Sequence, residues 1–176
     1  MSSIYFGLFA LLLAGVLAPT GNNSVVAHVS NSFSFTLDAP LESLAPLFGA
    51  ERERAWAAGW DPRFFYPHPP RDGRGVVFQV KHPDWNSTWI TTIYEPQQGH
   101  IQHVYFVPDT LVCLIDIHLT ALAPRETTVE VTYERTALNP ELNEHVRRLG
   151  EQDANFGKEW KAELESYLHR SQPSGR

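Results

Sequence analysis

Asp153 is the residue whose setting most demands a chemical explanation. It falls in the middle of an apolar stripe, formed by Leu142, Val146, Leu149, Phe156, Trp160, Leu164 and Tyr167, that recurs at helical spacing. A carboxylate buried there as an unpaired ion is strongly disfavoured, so it must be paired, protonated or wet. One reading makes it a polar handle or acid/base group in a cavity, with Phe156 and Trp160 beside it. The other lets it cap a turn or reach solvent. Four further side chains could join it. His103 and Tyr105 share a strand face with Ile101 and Val107, and Tyr133 and Arg135 share one with Val129 and Val131. If both faces look inward, the four converge on one spot and could hold the polar group of a ligand. A register shift of one residue would turn them all outward. Trp56 and Trp60, with Arg54 between Glu51 and Asp61, either close one end of a sheet or form a lid over a cavity mouth.

Other chemistries find little support. There is no Gly-x-Ser-x-Gly elbow and no Gly-rich phosphate loop, and Cys113 sits mid-strand on an apolar face, where a thiol is inert packing. Eight histidines raise the question of metal, yet there is no His-Glu-x-x-His pattern. His82, His100, His103 and His118 lie on different strands, and Asp116 and His118 alternate with an apolar face and so point to solvent. Neither a metal nor a cofactor is expected. A net charge of −6 without clustered Lys or Arg argues against nucleic acid. A single cysteine excludes an internal disulfide framework.

The elements that must position these residues can be read from periodicity. Phe33, Phe35 and Leu37 alternate with polar residues as a half-buried strand. Two short helices follow, one from Leu41 to Gly49 and one over Glu51 to Ala58, before Trp60-Asp61-Pro62 breaks the pattern. Strands are then expected over 64–66, 75–82, 88–94, 100–107, 111–122 and 127–136, separated by short turns such as Pro83-Asp84 and Pro108-Asp109. Short connections favour an antiparallel meander. Asn139 caps a final long helix that starts at Pro140 and runs to about Leu168. Its apolar stripe needs a large partner, and only the sheet is large enough. A curved sheet gripping that helix leaves room for a cavity, which 12% aromatic residues, five of them Trp, are suited to line.

The folded unit is expected over residues 28–170, with 171–176 as a flexible tail. Residues 1–27 stand apart. The apolar run Ile4–Leu17 is short for a membrane span and fits the core of a secretory signal, with Val25-Val26-Ala27 as a processing site. No Lys or Arg occurs before Asp38, so an uncleaved anchor or an upstream extension of a cytosolic domain stays open. Any membrane contact would run through this segment.

With these elements in place the chain resembles the START-like (SRPBCC) superfamily, in its polyketide cyclase/dehydrase-like branch. The resemblance rests on the stretch Glu53 to Pro62 with Tyr66-Pro67, on Trp89 to Pro96, on Thr132 to Leu138, and on the helix carrying Trp160 and Tyr167-Leu168. It covers about Val29 to Leu168. It implies an α+β helix-grip fold: about seven antiparallel strands curved around a long C-terminal helix, with an apolar ligand cavity. It does not imply one reaction. The expected function is binding or carriage of a small, largely apolar molecule, a lipid or an aromatic, polyketide-like compound. An alternative is a cyclase or dehydratase acting on such a substrate, and a second is a protein-interaction or stress-related module.

Overall fold

The computed structural model describes residues 25–82 and 85–171. The possible signal sequence therefore lies almost wholly outside the described residues, as does the tail after Ser171. Among the described residues no helix is long and apolar enough to cross a membrane.

Seven strands form one antiparallel sheet. They are β1 (His28–Leu37), β2 (Arg63–Tyr66), β3 (Val77–Lys81), β4 (Asn86–Glu95), β5 (His100–Val107), β6 (Leu111–Ala123) and β7 (Glu126–Ala137). The spatial order β1-β7-β6-β5-β4-β3-β2 is a meander from β2 to β7 in which β1 returns to the far edge beside β7. Between β1 and β2 lie α1 (Leu41–Leu44), which tightens into a 3-10 turn over Ala45–Phe48, and a second 3-10 turn over Arg52–Ala55. A last 3-10 turn (Pro140–Leu142) leads into α2 (Asn143–Ser171). Asn139 caps this junction, its side-chain oxygen accepting from Glu141 N–H at 3.0 Å.

Strands β2 to β7 lie within two residues of their expected bounds, and two larger departures have a physical cause. Strand β1 begins at His28, five residues before Phe33, because its outer face is held by polar pairs: Ser32 to Thr132 at 2.8 Å and His28 to Thr136 at 2.9 Å. The second helix is a single 3-10 turn, closed when Trp56 and Ala57 N–H donate to the Glu53 carbonyl. Helix α2 includes Ser171, and Ala27 is buried, with its N–H donated to Asn143 Oδ1 at 2.6 Å.

The core lies between the concave face of the sheet and α2. Val146, Gly150, Asp153, Gly157 and Leu164 are all buried and share one face of the helix. Two of them set how closely α2 can lie. A Cβ on Gly157 would come within 2.9 Å of the Phe33 ring, and one on Gly150 within 2.7 Å of the Asn31 amide. The first half of α2 thus rests directly on β1. Beside Gly157, bulkier side chains meet the sheet, Phe156 against Tyr133 of β7 and Trp160 against Phe33 of β1.

Candidate functional site

The space between α2, strands β3 to β7 and the turn after Arg52 is a cavity of about 390 Å³. Four tryptophans line it: Trp56, Trp60, Trp89 and Trp160. Trp56 and Trp160 meet edge to face at 5.6 Å, and Trp60 and Trp89 do so at 5.4 Å. Three of the indole N–H groups are already used. Trp56 donates to the Leu47 carbonyl at 2.7 Å, Trp60 to the Ala50 carbonyl at 2.8 Å, and Trp89 to Ser87 Oγ at 2.7 Å. These rings therefore offer the cavity apolar surface. At the rim stand Lys81, His82, Glu159 and Glu163, and Glu163 accepts from Ala58 N–H at 3.4 Å, tying the rim loop to α2.

All nine residues singled out in the sequence face inward, and the structure divides them into two groups. Trp56, Trp60, His103, Tyr133, Phe156 and Trp160 line the cavity. Arg135, Asp153 and Tyr105 do not. Arg135 of β7 and Asp153 of α2 form a buried ion pair, with side chains only 3% and 1% exposed. The guanidinium also lies over the Tyr133 ring, 4.4 Å from its centroid. Asp153 is thus the paired case among the alternatives: burial raises its carboxyl and the Arg135 contact opposes that rise. The pair bridges helix to sheet behind the aromatic wall. Arg54, outside the cavity, pairs with both Glu51 and Asp61.

His103 has no free nitrogen to offer a ligand. Nδ1 meets the Thr91 hydroxyl at 3.1 Å and Nε2 meets the Phe48 carbonyl at 3.1 Å, so Nε2 carries the proton and donates while Nδ1 accepts. Burial pushes its pKa down to about 4, keeping the ring neutral. Cys113 is likewise pushed up to about 12 by burial and stays an inert thiol.

The residue that sequence reasoning passed over is Glu53. It is 7% exposed and lines the cavity with Trp56 and Trp60. Burial raises its carboxyl well above the ordinary range, and repulsion from Asp72 adds to the rise. Neither contribution is offset by a cation. Glu53 therefore presents a carboxyl that keeps its proton to higher pH than an exposed one to an aromatic chamber that Tyr133 also lines. A signal for it existed. Glu53 and Trp56 stand three residues apart, the repeat that sets two side chains on one face of a helical turn.

The histidine expectation needs one correction. His100 and His118 meet after all, because β5 and β6 pair with these two residues directly opposite, and Asp116 joins them on the outer face of the sheet.

No family model matches the chain, and no curated protein matches it. Solved structures do. A structure of norcoclaurine synthase from Thalictrum flavum in complex with dopamine and hydroxybenzaldehyde is 12% identical with a TM-score of 0.62, over 98% of this chain and 100% of that one. An uncharacterised protein from Rhizobium leguminosarum is 15% identical with a TM-score of 0.57, over 84% and 98%. Ara h 8.0201 is 13% identical with a TM-score of 0.57, over 82% and 100%. At such identities the likeness concerns the fold alone, and that fold is a helix-grip, as the order of strands and the long closing helix show.

Proposed function

We propose that this protein binds and carries a small, largely apolar, ring-containing molecule between α2 and the sheet. The carrying observation is a chamber of about 390 Å³ walled by four tryptophans, with Glu53 and Tyr133 as its polar points of attachment. The volume is near the lower end for ligand sites, which favours a compact aromatic over a long acyl chain. Flat indole faces supply offset and edge-to-face contacts to a ring, and the Glu53 carboxyl orients a polar group on it. The norcoclaurine synthase structure, with two small aromatic molecules on the same fold, supports the reading by analogy alone. Native mass spectrometry of the full chain against matched aromatic and fatty-acid libraries tests it. Aromatic ligands should bind at one equivalent and weaken at least tenfold in Trp160→Ala. A library without hits, or hits indifferent to that substitution, would overturn the proposal.

One observation favours an enzyme as a second reading. A carboxyl raised well above its ordinary value among the aromatic walls of a cavity is of the kind that serves as a general acid or base. In a cyclase or dehydratase, Glu53 would move the proton and the aromatic walls would fold a flexible substrate. Glu53→Gln separates the readings. A carrier keeps its function in that variant, whereas an enzyme retains ligand binding and loses turnover.

A further inference from the structure

Strands β5 and β6 build a second polar site on the outer face of the sheet, away from the cavity. Their register sets His100 opposite His118 and Gln102 opposite Asp116. Side chains alternate across each strand, so these four face away from α2 while Ile101, His103, Ile115 and Ile117 are buried beneath it. The two imidazoles stack with centroids 4.2 Å apart. His100 Nε2 lies 2.8 Å from Asp116 Oδ1, and His118 Nε2 lies 3.1 Å from Asp116 Oδ2.

We infer that His100, Asp116 and His118 form a binding site for a divalent transition-metal ion, zinc in the first place. Three independent features support it. The first is spacing. Zinc bonds to nitrogen and oxygen of about 2.0–2.1 Å at tetrahedral angles place neighbouring donors about 3.3 Å apart. The two N···O separations here are slightly shorter, so an ion needs only a small spreading of groups that already converge. Both Nε2 atoms now donate to the carboxylate. On metal binding each imidazole passes to its Nδ1–H form and turns the freed Nε2 lone pair to the ion.

The second feature is a positioned carboxylate. The Gln102 side-chain amide donates to Asp116 Oδ1 at 3.1 Å, and its Oε1 accepts from the Thr92 hydroxyl at 2.8 Å. Such outer contacts hold a ligating carboxylate in one orientation. The third is charge. Glu95 stands opposite His100 on β4, Glu130 stands opposite His118 on β7, and Thr132 faces Asp116. No Lys or Arg occupies these cross-strand positions to repel a cation. The His118 side chain is 53% exposed, so an ion has open access. Two imidazoles with a carboxylate suit zinc, copper(II) or nickel(II) better than calcium or magnesium.

The test is titration of the EDTA-treated full chain with zinc chloride by calorimetry and with cobalt(II) by visible absorption. One equivalent should bind, with cobalt bands of four- or five-coordination and ring shifts of His100 and His118 in NMR spectra. His118→Ala and Asp116→Asn should each weaken binding at least ~10-fold, and Gln102→Leu should weaken it by roughly 10-fold through the loosened carboxylate. His145→Ala, at an exposed position on α2, should leave binding unchanged. Circular dichroism reports whether each variant is folded, and the spectra of the parent protein decide the matter without any variant. Absence of saturable equimolar binding, or affinity within twofold of the parent in both His100→Ala and His118→Ala, overturns the site.

Discussion

Replacing Glu53 with glutamine keeps the shape of the side chain and removes its titration. In the folded protein, burial and then Asp72 hold this carboxyl well above its ordinary value of 4.5, to which unfolding returns it. Between those two values the native chain keeps a proton that the unfolded chain has released. Its contribution to stability is therefore complete below pH 4.5 and is lost as pH rises through the folded value, at about 1.4 kcal/mol per pH unit. His103 works in the opposite sense. Burial lowers it from 6.5 to about 4, so its contribution is complete above 6.5 and is lost as pH falls through 4, about 3 kcal/mol in all. Above pH 4.5 the two slopes oppose each other for as long as the folded Glu53 keeps its proton, which flattens the response of the parent protein to pH. Glu53→Gln should uncover the His103 rise. The stability difference between variant and parent should then open from pH 4.5 upward at about 1.4 kcal/mol per unit, or roughly 3–6 °C in Tm for a chain of this size. Calorimetric melts of both proteins at half-unit steps from pH 4 to 8 measure it. Parallel curves would refute the reasoning, since they would mean that the acid ionises in the cavity as it does in water.

Three further expectations follow from the packing. Asp153→Ala should destabilise by about 3–5 kcal/mol in urea melts by leaving the Arg135 guanidinium buried and unpaired, while Arg135→Met with Asp153→Leu together should recover most of the loss. Gly157→Ala should gain up to about 1 kcal/mol in helix propensity yet lose about 1–3 kcal/mol against the Phe33 ring, for a net loss; a gain would show that α2 can ride higher on β1. Cys113 should react with a thiol reagent only as fast as the whole chain unfolds, because it is fully buried with its pKa pushed up to about 12; rapid labelling of the native protein would contradict that burial.

Local pattern carried most of the architecture. The strand over His100–Val107 is legible at its full extent because buried Ile101, His103, Tyr105 and Val107 alternate strictly with less buried neighbours. The long helix is legible because its stripe repeats over more than six turns and Asn139-Pro140 marks its start. The first half of β1 was hidden because its partners are polar. Thr132 and Thr136 stand about a hundred residues away, so no local alternation of apolar residues announces it.

Residue order alone therefore determined the sequence of elements and the presence of Asp153 on the apolar side of the closing helix. It could not determine who meets whom. That Asp153 pairs with Arg135, that Glu53 stands unpaired in the aromatic chamber, and that His100 faces His118 depend on strand register and on where the helix lies. Those are properties of the assembled sheet and helix, because distances between residues far apart in the chain are set by long-range packing that local periodicity does not encode.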